Sequence, residues 1–308
     1  LTGKQGIYVK NGTLNVSGGT IHGKNSYALW VAGGSAALSG GSYTTDVTDG
    51  CSIWNAVGTA GNLLDSSYRF ESKGSESKYS DDTHGVVGDT TVAVRPANEF
   101  PYVDANGKEQ THVGCTELTE AGFTGALAGD ETWFAANTSF TADDPLQVCG
   151  TVNLILCDGA TVTLKKGIYL ENEGTLNIYA QNGGTGTLEV TGNNANGATN
   201  AGIYISTGGA CTTALNIYGG NITATGALNR TFSSGDLCGA GIGTNANYDN
   251  KSTMEVNISG GTVTAKSGGP GAAAIGRGSK DTSSTVTVTI APGMKCVKTD
   301  DQSTACDY

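Results

Sequence analysis

The sequence is poor in proline, in charged residues and in long apolar runs. Only 5 of its 308 residues are proline and 15% are charged, against roughly one quarter charged in a typical domain. So little proline argues against a disordered, proline-rich linker. No apolar run approaches the roughly 18 residues of a membrane-spanning helix, so we expect no membrane insertion within this chain.

Histidine is also scarce, and the cysteines do not form metal-binding patterns. The chain has three histidines and eight cysteines, without any Cys-x-x-Cys pair, which argues against a zinc site. An even number of cysteines in an exported chain favours disulfide bonds. Free buried thiols are the alternative. The candidate disulfide pairs are Cys296–Cys306 and Cys211–Cys238.

Basic residues are outnumbered by acidic ones. The chain has 17 Lys and Arg against 28 Asp and Glu, which gives a net charge of −11 and a pI near 4.6. Such a chain repels a polyanion, and no basic stripe with interleaved aromatics offsets the repulsion. We therefore expect no nucleic-acid partner. An acidic surface rich in Thr and Asn is typical of proteins that face neutral glycans or other proteins outside the cell.

Glycine is abundant and belongs to a strand repeat. The chain has 48 glycines without the three-residue period of collagen. In the clearest copy, residues 255–265, apolar residues alternate along a short strand, and Gly260 and Gly261 break it where the backbone turns. Related copies occupy residues 14–21, 37–43, 176–179, 215–222 and 288–293.

A second sequence motif alternates with this strand motif. It consists of a small residue followed by a pair such as Ile-Tyr or Leu-Trp. It occupies residues 6–9, 28–30, 52–54, 167–170, 202–205, 241–243 and 274–276. Ile7 and Leu29 are 22 residues apart, and Ile53 follows 24 residues later. A period of about 20 to 25 residues with a few short strands is typical of a parallel β-solenoid, in which stacked coils bury apolar residues together.

The repeat divides the chain into three parts. We assign residues 1–96 to the terminal part of a first β-helix and residues 146–308 to a second. Residues 97–145 form a linker or cap, with a hairpin turning at Asn106–Gly107 and a short helical turn over residues 121–130. The second β-helix has longer periods of 32 to 41 residues, which indicate insertions at one corner. These insertions are residues 193–200, 226–236 and 245–253.

The predicted fold class is therefore all-β, a right-handed parallel β-helix in two solenoid segments joined by a linker without the repeat. Glycine-rich strand repeats also occur in β-propellers, β-prisms and β-sandwiches. Propeller blades contain four strands per repeat, whereas this repeat accounts for two or three.

Residues 150–164, 167–170 and 176–188 carry a likeness to a known family. Together with residues 239–243 and 258–265, they resemble a module common in very large surface proteins of gut Gram-positive anaerobes. The resemblance implies right-handed β-helices on adhesin-like or glycan-interacting proteins at the bacterial cell surface or cell wall. It implies no catalytic residues. Because Leu1 lies within the repeat, we expect export and anchoring signals to lie outside this segment.

Some β-helices degrade polysaccharides, so carboxylate pairs are candidate catalytic groups. An inverting glycosidase requires two carboxylates about 6.5–9.5 Å apart. The adjacent pairs fall outside the predicted strands, where solvated turns explain them better. They are Asp81–Asp82, Asp143–Asp144 and Asp300–Asp301. A lyase requires a basic proton acceptor, and Arg277, Lys280 and Asp281 are the nearest constellation, with an exposed loop as the alternative.

Metal and nucleophile signals are weak. Asp81, Asp82 and Asp89 surround His84 in a candidate calcium loop, but the spacing matches no EF-hand. Asp104 begins another, which a hairpin turn explains better. His22 and His112 have no Ser or Cys partner arrangement. We therefore predict no catalytic residue, metal site or cofactor.

Aromatic residues at matching places in successive coils are the best candidate binding surface, because sugar rings stack on exposed tryptophan and tyrosine. Neighbouring strand residues point to opposite sides, so residues that follow inward-pointing Ile or Leu point outward. The candidate glycan-contact residues are Tyr8, Trp30, Trp54, Tyr169 and Tyr204. The alternative is packing against a loop or a neighbouring module.

These features predict a non-catalytic extracellular module that acts as an adhesin, a stalk or a glycan-interacting β-helix. We expect host or dietary glycans, or a host surface protein, as partners. The alternative is a polysaccharide-degrading enzyme, a glycoside hydrolase or lyase, on the same scaffold. Incubation with mucin or plant glycans separates the two, because only the enzyme releases sugar.

Overall fold

The structure, a computed structural model, divides the chain into two compact units, Leu1–Glu99 and Phe100–Tyr308, which are considered separately. It describes residues 2–47, 51–64, 67–72, 84–87, 91–121, 123, 125–195, 198–205, 211–230, 236–246, 251–300 and 303–307. These residues form strands, turns and one short 3-10 helix, and no α-helix occurs among them. The predicted all-β class is confirmed.

The first unit contains nine strands and the 3-10 helix, and a tenth strand starts at its last residue. Their bounds are β1 Thr2–Gly3, β2 Ile7–Val9, β3 Thr13–Gly23, β4 Leu29–Val31, β5 Ser35–Thr45, β6 Cys51–Asn55, the 3-10 helix Ala60–Leu63, β7 Tyr68–Ser72, β8 Gly85–Val87, β9 Thr91–Pro96 and β10 Glu99–Val103.

Parallel pairing in the first unit follows the sequence spacing. In the sheet of β2, β4 and β6, Leu29 lies between Ile7 and Ile53. In the sheet of β1, β3 and β5, Val16 lies opposite Leu38. Both registers are those that the 22- and 24-residue spacings predict. Antiparallel strands then cover the edges, β8 on β6 and the pair β9–β7 on β5, which protects them from further pairing.

The two sheets of the first unit share one apolar core. Leu29 and Ile53 from one sheet and Leu38 and Tyr43 from the other are fully buried in a single cluster. Burying such a side chain stabilises the fold by about 1.5–3 kcal/mol. The outward neighbours of these residues are the more exposed ones, in the two-residue alternation of a strand.

The second unit contains the remaining strands. Their bounds are β11 Glu109–Val113, β12 Thr116–Glu117, β13 Ala126–Ala136, β14 Phe140–Ala142, β15 Leu146–Leu156, β16 Thr161–Leu164, β17 Ile168–Ala180, β18 Thr187–Thr191, β19 Asn194–Ala195, β20 Ala198–Thr199, β21 Ile203–Ile205, β22 Thr212–Ile217, β23 Asn221–Thr225, β24 Leu228–Asn229, β25 Leu237–Cys238, β26 Ile242–Gly243, β27 Thr253–Ile258, β28 Thr262–Lys266, β29 Ile275–Gly276, β30 Thr285–Ile290, β31 Lys295–Asp300 and β32 Ser303–Asp307.

Long parallel sheets organise the second unit in a solenoid-like manner. One sheet runs from β12 through β13, β15 and β17, and then continues as two branches, β21–β26–β29 and β22–β27–β30. The other runs β14–β16–β18–β23–β28. Each coil of the chain thus adds neighbouring strands to both sheets. Their inward side chains form one continuous core, in which Leu176, Leu215 and Val256 lie opposite one another and are fully buried.

The glycine pairs form corners, as predicted. Gly261 has φ +76°, a conformation that residues with a side chain rarely adopt. A Cβ atom added there would lie 2.3 Å from the carbonyl oxygen of Gly220 in the preceding coil. Glycine at this corner therefore permits both the turn and the close stacking of coils.

The insertions lie at two corners, so the prediction of one corner is wrong. Residues 193–200 and 226–236 follow β18 and β23 and precede the next coil. Residues 245–253 instead separate β26 from β27, a junction that is continuous strand in β15 and β17. Two different junctions therefore accept extra residues.

Parallel pairing begins before residue 146. β13 and β14, which the sequence analysis assigned to the linker, pair in parallel with β15 and β16. The helical turn expected over residues 121–130 is wrong, because β13 starts at Ala126. The predicted hairpin is confirmed: β10 and β11 are neighbours and Gly107 has φ +74° in the turn.

An antiparallel hairpin ends the second unit. β32 pairs with β28, and β31 pairs with β32, so that Cys296 and Cys306 are opposite residues in the backbone register. Their side chains lie outside what the structure describes, so this disulfide stays a prediction. The Cys211–Cys238 disulfide is wrong, because both thiols are free.

Candidate functional site

The predicted aromatic residues of the first unit lie side by side on β2, β4 and β6. The register pairs Tyr8 with Trp30 and Trp30 with Trp54. Tyr8 is 46% exposed, and both tryptophans are partly exposed. The row points away from the buried Leu29 and Ile53. The strand alternation used in the sequence analysis therefore gives the correct side of the sheet.

A fourth ring, which the sequence analysis missed, completes this row. Tyr27 lies before β4 and contacts Trp30 edge-on at 5.7 Å between ring centroids. It also stacks on Trp54 at 5.8 Å. Tyr8 meets Trp30 edge-on at 5.1 Å. We call Tyr8, Tyr27, Trp30 and Trp54 the aromatic row. It presents a mixture of ring edges and faces.

His84 closes one end of the aromatic row. Its ring lies 5.7 Å from that of Trp54. Its Nδ1 lies 2.7 Å from the carbonyl oxygen of Gly58 and 3.0 Å from that of Asn55. Because both partners are acceptors, Nδ1 carries the proton. Trp54 thus has a neighbour on either side, and Tyr8 lies at the open end of the row.

The predicted pair in the second unit is less accessible. Tyr169 and Tyr204 are opposite one another on β17 and β21 and stack at 5.8 Å. Tyr204 is only 7% exposed, because it packs against Ala201 and Ala240. The expectation of two exposed rings therefore holds only for Tyr169, which is partly exposed.

A larger aromatic group in the second unit escaped the sequence analysis. Trp133, Tyr179 and Tyr218 form what we call the aromatic column, with stacked neighbours at 5.4 and 4.9 Å. Tyr102 from the β10–β11 hairpin contacts Trp133 and Tyr179, each at 5.0 Å. His112 stacks on Trp133 at 4.1 Å.

An asparagine ladder runs beside the aromatic column on the same strands. The amide Nδ2 atoms of Asn177, Asn216 and Asn257 each donate to the Oδ1 of the asparagine in the preceding coil at 2.8–2.9 Å. The ladder consists of Asn153, Asn177, Asn216 and Asn257. Tyr179, Tyr218 and two of the four asparagines belong to one repeated tetrapeptide, Leu-Asn-Ile-Tyr, at residues 176–179 and 215–218. The repeated Asn and Tyr of this tetrapeptide could have predicted an outward-facing polar and aromatic surface, but the sequence analysis used only its Leu and Ile.

Burial raises the pKa of Tyr179 to about 12, and it also raises the pKa of Tyr218. Both hydroxyls therefore keep their protons at neutral pH and remain hydrogen-bond donors. Burial lowers the pKa of His112, an effect that Glu131 partly opposes, so the ring stacked on Trp133 favours its neutral form.

The adjacent carboxylates Asp143 and Asp144 are engaged by lysines of the next coil. Lys165 Nζ lies 2.9 Å from Asp143, and Lys166 Nζ lies 3.5 Å from Asp144. The hydrogen bond from Lys165 and its charge hold the pKa of Asp143 below its usual range. Both carboxylates are highly exposed, so this pair forms surface ion pairs between coils.

The loop candidates have structural contacts. Asp281 is buried and accepts hydrogen bonds from the hydroxyl of Thr244 and from the backbone of Ser283 and Ser284. Asp104 accepts from the backbone of Lys108, which lowers its pKa, and from that of Asn106 in the hairpin turn. These contacts account for Asp104 and Asp281 without a ligand.

Other candidates form no metal-binding cluster in the described ranges. His22 contacts the Thr44 hydroxyl and Asp46. Asp81, Asp82, Asp89 and Asp301 lie outside the described residues. Among the residues that are described, no group of three or more His, Cys, Asp or Glu side chains could hold a metal ion.

One thiol lies in a polar group on β15 and β17. Gln147 Nε2 donates to Cys149 Sγ at 3.4 Å, and Cys149 donates to Glu171 at 3.7 Å. Burial and the neighbouring Glu171 raise the pKa of Cys149. The thiol form is therefore favoured over the nucleophilic thiolate.

Comparison with known proteins identifies no group for this chain. No protein-family model matches it, and neither curated proteins nor solved structures give a significant match. None of the helices in the described part of the chain has the length and hydropathy of a membrane span.

Proposed function

We propose that the chain is a right-handed parallel β-helix module of an exported bacterial surface protein and that it binds neutral glycans without cleaving them. The parallel sheets, in which like residues lie opposite one another coil after coil, support the β-helix. The resemblance of residues 150–188 to surface modules supports the location. Adhesin and stalk roles are compatible with the same scaffold.

The aromatic row carries the glycan-binding proposal. It places four rings on one exposed side of a sheet, and Tyr8 at its open end is 46% exposed. Aromatic rings offer apolar faces to the C–H faces of sugars. The net charge of −11 favours neutral sugars over anionic ones.

Affinity electrophoresis tests the proposal with neutral polysaccharides, namely xylan, mannan, β-glucan and galactan. We expect Tyr8→Ala and Trp30→Ala each to weaken binding about tenfold. Val57→Ser is the matched control, because Val57 is a 56% exposed apolar residue of the same unit outside the row. Equal binding by Tyr8→Ala, Trp30→Ala and the unchanged chain would contradict a role for the row.

The rival function, polysaccharide cleavage, has a separate readout. Incubation of the unchanged chain with the same polysaccharides and with mucin is followed by assays for new reducing ends and for unsaturated sugar products. Glycan binding without product supports the proposal, whereas sustained product release would replace it with a glycoside hydrolase or lyase.

A further inference from the structure

The second unit has an outer sheet face that the aromatic row does not account for. Tyr218, Asn216 and Asn257 lie on it, because residues two apart on a strand share a side. Leu215 and Ile217, their neighbours in sequence, are fully buried on the other side. We call Tyr179, Tyr218, Asn177, Asn216 and Asn257 the amide–aromatic face. Every one of these residues is partly exposed.

The aromatic column stops at Tyr218. One side of its ring stacks on Tyr179 at 4.9 Å. In the next coil the equivalent position is Ser259, whose backbone N–H donates to Ile217. A serine cannot extend a stack of rings. Among the described residues, the other side of Tyr218 therefore has no aromatic neighbour.

The asparagine ladder stops one coil later. Asn257 donates to Asn216 at 2.8 Å, and the residue opposite Asn257 in the next coil is Thr289. Each Nδ2 in the ladder uses one of its two N–H groups. The ladder therefore leaves a row of amide donors, and the carbonyl oxygen of Asn257 as an acceptor, on the same side of the sheet as Tyr218.

The hairpin covers the face only at its beginning. Tyr102 contacts Trp133 and Tyr179, and the neighbouring Ile155 and Asn153 are buried. Among the described contacts, the hairpin makes no ring contact with Tyr218. Packing beneath the hairpin thus explains the first part of the column and the ladder, and it leaves Tyr218 and Asn257 unexplained.

The geometry points to a second carbohydrate site on the amide–aromatic face, which takes a neutral oligosaccharide with one sugar stacked on Tyr218. The free N–H groups of Asn216 and Asn257 donate to its hydroxyls, and Asn257 Oδ1 accepts from them. Glu255, two residues before Asn257 on the same side, adds an acceptor for hydroxyls and repels acidic sugars. The inference rests on the proposed function for its ligand class, but its residues are different.

The test uses isothermal titration calorimetry with xylohexaose, cellohexaose and mannohexaose. The parent is the full chain with Tyr8→Ala, Trp30→Ala and Trp54→Ala, so that only Tyr27 of the aromatic row remains. In this parent we expect Tyr218→Ala and Asn257→Ala each to weaken binding of at least one probe about tenfold. Tyr218→Phe, which keeps the ring, should bind more tightly than Tyr218→Ala.

The matched control is Asn221→Ala, an asparagine on β23 in the other sheet that donates to Gly184. It should bind like the parent. Circular dichroism melting of every variant separates loss of binding from loss of fold.

The outcomes separate the two proposals. If the unchanged chain binds a probe and the Tyr8→Ala, Trp30→Ala, Trp54→Ala parent binds none, the aromatic row is supported and the second site is overturned. If the parent binds equally with and without Tyr218→Ala, the second site is also overturned. Parent binding that is lost with Tyr218→Ala and kept with Asn221→Ala establishes it. Failure of all probes with the unchanged chain overturns the second site, and the electrophoresis with polysaccharides then decides on the aromatic row separately.

Discussion

The two units use the same repeat but arrange their aromatic rings differently. In the first unit, rings come from three neighbouring strands and from the loop residue Tyr27, and they meet partly edge-on. In the second unit, Tyr179 and Tyr218 follow the same apolar residue in successive coils and stack face to face. Strands about 4.8 Å apart bring equivalent rings to stacking distance. The equivalent rings Tyr179 and Tyr218 therefore stack, whereas Tyr8 and Trp30 meet edge-on although they also lie opposite one another.

The largest expected difference between the units concerns their cores. Leu176 is fully buried between Val152 and Leu215 of the neighbouring coils. Leu14 occupies the equivalent position in the first coil, is only partly buried and faces Ala36. We expect Leu176→Ala to lower the free energy of unfolding by about 2–5 kcal/mol, and Leu14→Ala to lower it by less than half as much. Urea unfolding measures both, and equal losses would contradict the difference in packing.

The corner glycines are expected to show a difference in stability of intermediate size between the two units. Gly261 and Gly41 both have positive φ, +76° and +102°. An added Cβ would lie 2.3 Å from a backbone oxygen at Gly261 but 3.2 Å at Gly41. We expect Gly261→Ala to cost about 3 kcal/mol, from backbone strain plus a displaced coil, and Gly41→Ala to cost about 1–2 kcal/mol, mainly from strain.

Thermal unfolding of both glycine variants measures this comparison. A smaller cost at Gly261 than at Gly41 would show that the coils of the second unit separate more easily than their close stacking indicates.

The smallest expected effect is a pH dependence of the contact between the β10–β11 hairpin and the aromatic column. Burial lowers the pKa of His112, so folding favours its neutral form. Its contribution to stability is present above the unfolded pKa of about 6.5 and is lost as the pH falls through the lower folded value. We expect acidification below about pH 6.5 to loosen the contact between His112 and Trp133.

Fluorescence of Trp133 reports that contact when Trp30 and Trp54 are replaced by Phe, because the chain has three tryptophans. His112→Phe keeps a ring on Trp133 but does not titrate, and it should remove the pH dependence. An unchanged pH profile in His112→Phe would show that another group is responsible.

The parallel registers were predictable because they depend on local spacing. The distances between Ile7, Leu29 and Ile53 identify residues that lie opposite one another. The outward direction of Tyr8, Trp30 and Trp54 follows from strand alternation. The start of the second stack was missed because β13 has the sequence Ala-Leu-Ala-Gly-Asp-Glu-Thr-Trp, which lacks the apolar alternation of the later copies.

How far each aromatic surface is buried depends on contacts with segments distant in sequence, which a local sequence pattern does not predict. Burial of Tyr204 results from Ala201 and Ala240, which are 3 and 36 residues away in sequence. Tyr102 and His112 reach Trp133 only because the hairpin folds back onto β13. Such contacts between distant segments decide which members of a predicted row remain available to a ligand.

The branching of one sheet after β17 has a consequence for how the second unit tolerates change in length. The single strand β17 pairs in parallel with both β21 and β22, although these two strands are separated in sequence. A peptide grafted between β21 and β22 would lengthen that separation while both strands keep their pairing with β17. Because each coil rests on its immediate neighbours, such a graft is a local alteration, and the junction is a natural place for displaying foreign sequences.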